Sequence, residues 1–207
     1  MTKSAFSDAA QTWNHRFSVA GYLFGTEPNA YLRRHAGRWQ PGARLLCVAD
    51  GEGRNSVWLA RQGLRVDAFD ISDVGVRKAQ GLAANAGVHV NFAVADGDAL
   101  AWPTDTYDGI VAIFIQFADP PMRERLFANM LRALKPGGLL VLQGYTPRQL
   151  IYQTGGPPFI DHLYTRALLR NALRHMQFIE MVSYEDELTE GTQHLGRSAL
   201  IGLVARK

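Results

Sequence analysis

The stretch ARLLCVADGEGRNSVWLA, residues 43–60, decides the fold. LLCVA is a short apolar run that reads as a buried strand. Gly51 and Gly53 follow it, and then RNSVWLARQ, whose apolar spacing is helical and which stops at Gly63. Outward from there the pattern repeats. LRVDAFD predicts a second strand, with Ser72 as the N-cap of a helix running to about Asn85. VNFAVAD (90–96) predicts a third strand and YDGIVAIFIQF (107–117) a long fourth. A helix from about Met122 to Leu134 follows, finished by Lys135 and stopped by Pro136, Gly137 and Gly138, before GLLVLQGY as strand five. Upstream, EPNAYLRRHA predicts a short helix ended by Gly37. Strands alternating with helices imply right-handed crossovers and a mostly parallel sheet covered on both faces, a doubly wound α/β fold. Residues 147–175 read as helical with a TGGPP interruption, and IEMVSYEDELTE and SALIGLVARK as two antiparallel strands at one sheet edge.

Composition fits one domain. The 207 residues are 47% hydrophobic and 20% charged, far from the charge-rich pattern of disorder. Apolar runs such as Ile110–Ile115 and Leu139–Leu142 are much too short to span a bilayer. The polar N-terminus, MTKSAFSDAAQTWNHRF, lacks the apolar core of a secretory signal, which points to the cytoplasm. The single cysteine, Cys47, excludes an intramolecular disulfide and reads as a buried small hydrophobe. Net charge is +3, and between Asp119 and His175 eight basic residues face three acidic ones, which on helices reads as a solvated face rather than a nucleic-acid site. The histidines show no metal-ligand spacing, so no metal is expected. The whole chain, 1–207, reads as a single domain with a helical cap over 1–40 and a helical lid over 147–175, monomeric or homodimeric.

In open parallel sheets ligands bind beyond the carboxyl ends of the strands, where strand order reverses. Strand one ends in Asp50-Gly51-Glu52-Gly53-Arg54-Asn55; the glycines let the backbone turn tightly, and the next helix presents free N–H groups. Strand two ends at Asp70, 19 residues beyond Gly51, where a carboxylate can take both ribose hydroxyls of an adenosine. Strand three ends at Asp96, which can meet an adenine edge. Ser56 fits poorly as the last residue of a G-x-G-x-x-G/A dinucleotide fingerprint. Asp50 and Glu52 would repel a pyrophosphate and attract an ammonium, and Arg54 could pair with a carboxylate on the same ligand tail.

VADGEGRNSVWLA, VDAFDIS, ADGDALAWPTDTYDGIV and LKPGG, in that order over residues 44–144, resemble the motif series of the class I S-adenosylmethionine-dependent methyltransferases. GEGRNSVWLA and YLFGTEPNAYL are most similar to the tellurite-resistance-type (TehB-like) group. The resemblance implies a Rossmann-like seven-stranded sheet of order 3-2-1-4-5-7-6 with strand seven antiparallel. It implies that Gly51 and Gly53 meet the methionine part of S-adenosylmethionine, Asp70 the ribose, Ile71 the adenine face, and Asp96 with the backbone of Gly97 the adenine edge. Ile113 resembles the position whose carbonyl takes the ammonium, and Phe24 with Gly25 the segment that folds over the cofactor. The first motif departs from the family, which usually has an acid where Cys47 stands and a glycine where Ala49 stands; Asp50 can partly replace the missing acid.

Methyl transfer from a sulfonium is an in-line displacement at an activated carbon, so positioning and desolvation can supply most of the acceleration. Aromatic faces suit the sulfonium, with Trp13, Tyr22, Phe24 and Phe117 as candidates. Acceptor contacts are expected from Gln116 and Phe117, from TPRQLIYQTGGPP, and from the final hairpin turn, GTQHLGRS. Tyr152 and His194 are candidates to move a proton, and Arg148 or Arg197 to hold an anionic acceptor. No Asn-Pro-Pro-aromatic tetrapeptide is present, Cys47 lies too deep to attack a pyrimidine, and no nucleic-acid-binding domain is added. A small molecule remains: a thiol, an oxyanion such as tellurite or selenite, or a metabolite hydroxyl or amine. The alternatives are a nicotinamide-dependent oxidoreductase and a binding module that retains the cofactor fold without turnover.

Overall fold

The computed structural model describes residues 5–207. Helices α1 (Ala5–Phe17) and α2 (Ala30–His35), the latter extended by a 3-10 turn at Ala36–Arg38, precede the alternating core. That core runs β1 (Arg44–Val48), α3 (Arg54–Arg61), β2 (Arg65–Asp70), α4 (Asp73–Asn85), β3 (Asn91–Val94), β4 (Tyr107–Ile113), α5 (Pro120–Ala133) and β5 (Leu134–Tyr145). Helix α6 (Gln149–Tyr152), a 3-10 turn at Ile160–His162 and α7 (Arg166–Ala172) lead to the closing hairpin, β6 (Gln177–Glu190) and β7 (His194–Arg206). The seven strands form one sheet of order β3-β2-β1-β4-β5-β7-β6. Strand β7 is antiparallel to both β5 and β6, and the other pairs are parallel. The doubly wound reading and the seven-stranded order hold. No helix of the described residues is long and apolar enough to cross a membrane.

Alternation along the central strands divides the core. Leu46, Val48, Ile110, Ala112, Leu140 and Leu142 meet α5 and α7 on one face through Leu126, Met130 and Leu169. Leu45, Cys47, Val111, Val141 and Val204 meet Leu32, Trp39 and Leu59 on the other. Cys47 is buried there, and burial pushes its thiol well above its usual range. Helix α2 lies close against the sheet because β7 carries Gly202 beneath the Tyr31 ring.

Four boundaries differ from the sequence reading. Strand four ends at Ile113, not 117, because Phe114 turns to φ 56°; the run IFIQF is too uniformly apolar to mark the turn. Helix α5 starts at Pro120, where Asp119 accepts from the Met122 N–H, and stops at Ala133 because Leu134 is already extended in β5. The stretch 147–175 is helical only in two short pieces; left-handed Gly155 and Gly156, followed by Pro157 and Pro158, keep the rest in turns. The hairpin turn is Gly191–Gln193, so His194 to Ser198 lie in β7 rather than in a loop.

A Cβ on Gly202 would lie 2.3 Å from Tyr31 Cε2. Gly202→Ala is therefore expected to lower stability by about 1–3 kcal/mol through overpacking. Urea unfolding checks this, and an unchanged midpoint would mean that α2 can move away from the sheet at no cost.

Candidate functional site

The reversal of strand order between β1 and β4 opens a cavity of about 750 Å³ at their carboxyl ends. Its first half is built by three strand ends. Asp70, at the end of β2, is 6% exposed; one oxygen accepts from the Gly51 N–H at 2.8 Å and the other from the Ser72 N–H at 2.9 Å. Each oxygen keeps a second acceptor site. Ile71, Asp96 and Gly97 lie beside it in the wall, and the Gly97 carbonyl accepts from Trp102 Nε1 at 2.8 Å. Asp50 follows β1. Ser56 Oγ donates to its Oδ2, while Oδ1 is sealed from solvent without a hydrogen-bond partner. Burial raises the carboxyl of Asp50 to about 7 and that of Asp70 to about 6.

Helix α1 closes this half from above. Phe17 lies over Gly51 and Gly75, and Asn14 Oδ1 accepts from Ser72 Oγ at 2.5 Å. The segment after α1 is fastened by Glu52, which accepts from the Leu23 N–H at 2.6 Å and from Lys78 Nζ at 2.8 Å. Lys78 also donates to the carbonyls of Val19 and Gly21.

The second half is aromatic. Phe24, Phe114 and Tyr145 surround His194, with ring centroids 4.6, 4.3 and 5.8 Å from the imidazole. His194 is 8% exposed, and its Nδ1 has no hydrogen-bond partner, Glu190 Oε2 standing 3.7 Å away. Burial lowers the His194 pKa and outweighs the pull of Glu190. Burial alone would raise Glu190, but the His194 ring and the Arg54 guanidinium bring it down to about 2. The buried Tyr145 hydroxyl also lacks a partner.

The sequence-predicted residues divide accordingly. Phe24, Asp50, Gly51, Arg54, Asn55, Asp70, Ile71, Asp96, Gly97, Ile113, Gln116, Phe117 and His194 share the cavity wall. Seven others do not: Tyr22 lies beside Lys78, whose Nζ is 5.8 Å from the Tyr22 ring centroid, and the expected contacts of the other six are corrected. The Glu52 carboxylate is held by Lys78 and Leu23 instead of facing a ligand. Gly53 serves packing: a Cβ there would lie 2.7 Å from Ala79 Cβ, so it lets α3 approach α4. Gly25, at φ 74°, runs backbone to backbone against Gly191. Arg148 and Arg197 both pair with Glu185 on the exposed side of the hairpin, and Tyr152 lies under Arg197. Two wall residues also differ in detail. Arg54 is paired with Glu190 at 2.8 Å and so is not free for a ligand carboxylate. The Gln116 amide is fully engaged, donating to the Tyr145 and His162 carbonyls and accepting from the Tyr145 N–H, which makes it a brace. Sequence reading missed Arg16, Phe114, Tyr145 and Glu190. Phe114 and Tyr145 end strands at the switch point and could have been found there; no motif marks Arg16 or Glu190.

A family profile described as "Methyltransferase domain" matches residues 45–138. The chain is 31% identical over 165 residues to the ubiquinone/menaquinone biosynthesis C-methyltransferase UbiE of Geobacter sulfurreducens, a match covering 73% of this chain and 60% of that protein. The chain spans about half the length of the curated relatives it matches, from 38% of a Mycobacterium bovis protein to 60% of the Geobacter one. Among solved structures, TehB from Haemophilus influenzae superposes with a TM-score of 0.70 at 19% identity, over 86% of this chain and 62% of that one. The N-methyltransferase NodS from Bradyrhizobium japonicum, solved with S-adenosyl-L-homocysteine, superposes with a TM-score of 0.71 at 14% identity, over 96% and 97%. At these identities the two structures show the shared fold.

Asp50 and Asp70 set a pH dependence. Between pH of about 4 and 7 the folded chain holds protons that the unfolded chain has released, so stability falls as pH rises through that window. Asp50→Asn is expected to make the ligand-free protein more stable than wild type by about 1–2 kcal/mol at pH 8, with the gap closing toward pH 4. Denaturant melts at both pH values measure it; a gap independent of pH would place the raised acid elsewhere.

Proposed function

We propose that the chain is a class I S-adenosylmethionine-dependent methyltransferase that transfers a methyl group to a small-molecule acceptor in the cytoplasm. The observation that carries the reading is the sealed, unpartnered Oδ1 of Asp50 beside the half-satisfied carboxylate of Asp70. A buried carboxylate oxygen without a donor is costly, and an ammonium that reached Asp50 from the cavity, once the atoms sealing Oδ1 moved aside, would offset that cost. The remaining acceptor sites of Asp70 suit two ribose hydroxyls, and Ile71 with Asp96 and Gly97 suits an adenine. The residues present therefore fit the cofactor. Asp50 beside the glycine turn would oppose a pyrophosphate, which argues against a nicotinamide dinucleotide.

S-Adenosylmethionine, when bound, supplies a methyl group on a positively charged sulfur, already activated for displacement. The chain's own contribution is to hold, dry and align. Phe24, Phe114 and Tyr145 exclude water from the acceptor half, and in the neutral ring His194 Nε2, the nitrogen that is not sealed, can receive the acceptor's proton. Glu190 would stabilise the resulting imidazolium across 3.7 Å. On this reading residues 5–40 are the described part of the expected 1–40 cap, residues 1–4 lying outside the described residues, and 147–175 is the lid of one domain.

Calorimetric titration with S-adenosylhomocysteine, with NADH as control, tests the reading: saturable binding of the first and none of the second is expected, and the reverse would overturn it. Asp70→Asn is expected to weaken S-adenosylhomocysteine by about tenfold or more. Asn keeps one acceptor for the Gly51 or Ser72 N–H, so circular dichroism can confirm that the fold survives. His194→Ala is expected to lower turnover about 100-fold with cofactor affinity unchanged, and wild-type turnover should fall only at pH below the ordinary imidazole range. An unaltered rate in the variant would return His194 to a packing role.

A further inference from the structure

The cavity contains three arginines, and two are already paired: Arg54 with Glu190 and Arg125 with Asp98. Arg16, near the end of α1, is not. Among the described residues no carboxylate stands within ion-pair distance of its guanidinium. Its one side-chain hydrogen bond is a long 3.5 Å contact to Gln193 Oε1. The guanidinium carbon lies over the Trp13 ring, 4.4 Å from its centroid, and 6.0 Å from that of Phe24. Contact with a ring face uses none of the five guanidinium N–H donors. A half-buried cation with unfilled donors on a cavity wall is an incomplete ion pair.

Phe24 connects Arg16 to the reacting end of the cavity, because the same ring lies 4.6 Å from His194. Arg16 is near enough for its charge, after burial and Arg54, to depress the basicity of His194. Between these groups the walls are rings, with Phe114 stacked on Tyr145 at 4.7 Å, and the Tyr145 hydroxyl and His194 Nδ1 are sealed behind them. The acid-rich half of the cavity, with Asp50, Asp70 and Asp96, lies at the ends of β1, β2 and β3. One end thus favours a cation and the other an anion on a flat apolar body.

We propose that Arg16 is the anion grip of the acceptor site and that the acceptor is a flat, aromatic-type carboxylate, its carboxylate at Arg16 and its body against the half-buried rings of Phe24 and Phe114. This rests on the methyltransferase reading and deepens it by naming the acceptor class. A bare oxyanion such as selenite would need polar contacts on all sides, and these rings do not offer them. The expected anion holders Arg148 and Arg197 are replaced in that role by a residue from the opposite end of the chain.

The test is calorimetric titration of the full chain saturated with S-adenosylhomocysteine. The probes are benzoate, cinnamate and 2-naphthoate, each with its amide, and sodium selenite. At least one carboxylate is expected to bind about tenfold or more tighter than its amide and than selenite. Arg16→Gln is expected to abolish the preference for carboxylate over amide while S-adenosylhomocysteine affinity stays within about threefold, and Arg16→Lys to restore part of the preference. If no carboxylate outbinds its amide, if Arg16→Gln keeps the preference, or if selenite matches the best carboxylate, the grip is overturned and the methyltransferase reading stands. If wild-type protein does not bind S-adenosylhomocysteine, that reading falls and this proposal with it.

Discussion

The ion pair between Arg54 and Glu190 holds the two halves of the cavity together. Arg54 is in the first turn of α3, directly after the glycine turn, and Glu190 is the last residue of β6, on the far side of the sheet's reversal. Both side chains are nearly buried and meet at 2.8 Å, with the Phe24 carbonyl accepting from the same guanidinium at 3.3 Å. The other Glu190 oxygen takes the Asn29 amide at 2.9 Å; Asn29 also caps α2 and donates to Gln143 on β5. One carboxylate thus fastens α2, α3, β5 and the closing hairpin around a common point, and His194 stands beside it. Breaking a buried pair of this kind leaves an uncompensated charge and typically costs about 3–5 kcal/mol. The aromatic half keeps its place relative to the strand-end acids through this junction.

Those acids work against folding. Burial raises both Asp50 and Asp70, so at neutral pH the ligand-free protein carries carboxylates that the fold disfavours. Asp70 recovers part of the cost through two backbone N–H donors, and Asp50 recovers less, with one oxygen on Ser56 and the other unpartnered. The same physics governs Arg16 at the other end. In each case a charge is withdrawn from water without a full complement of protein partners, in a residue of the cavity wall. Binding groups that are unsatisfied when empty convert their own cost into affinity for a ligand of matching charge.

How much was legible in the sequence follows from where the signal was local. Strand, glycine turn and capped helix are neighbours in sequence, so the sheet order and the ligand wall at Gly51, Asp70, Ile71 and Asp96 could be read directly. The failures are non-local. That Glu52 turns to Lys78 and Leu23 depends on a segment 29 residues upstream, and that Arg54 turns to Glu190 depends on one 136 residues downstream. Arg148 and Arg197 read as free cations because their shared partner, Glu185, is brought to them only by the register of β6 on β7. Arg16 lies in a stretch with no motif, and its position over the cavity comes from Asn14 docking on Ser72 and Phe17 on the glycine turn.

Two of the four non-glycine residues with positive φ among the described residues lie at the same place. Ala49 and Phe114, the residues just beyond β1 and β4, both have positive φ, 48° and 56°, which non-glycine residues rarely adopt. They flank the point where strand order reverses, and both face the cavity. At position 49, where the family usually has glycine, alanine must accept the left-handed conformation to aim Asp50 inward, while the Asp50 N–H is held by the Phe69 carbonyl at 3.0 Å. At 114 the same turn, held by the Gln143 carbonyl at 2.8 Å, swings an aromatic ring out of the strand and against His194. Each left-handed residue is fixed by a backbone hydrogen bond from the neighbouring strand, so the sheet imposes the strain. The two turns set different groups at adjacent strand ends, an acid after β1 and an aromatic ring after β4, and the cavity is polar on one side and aromatic on the other as a consequence.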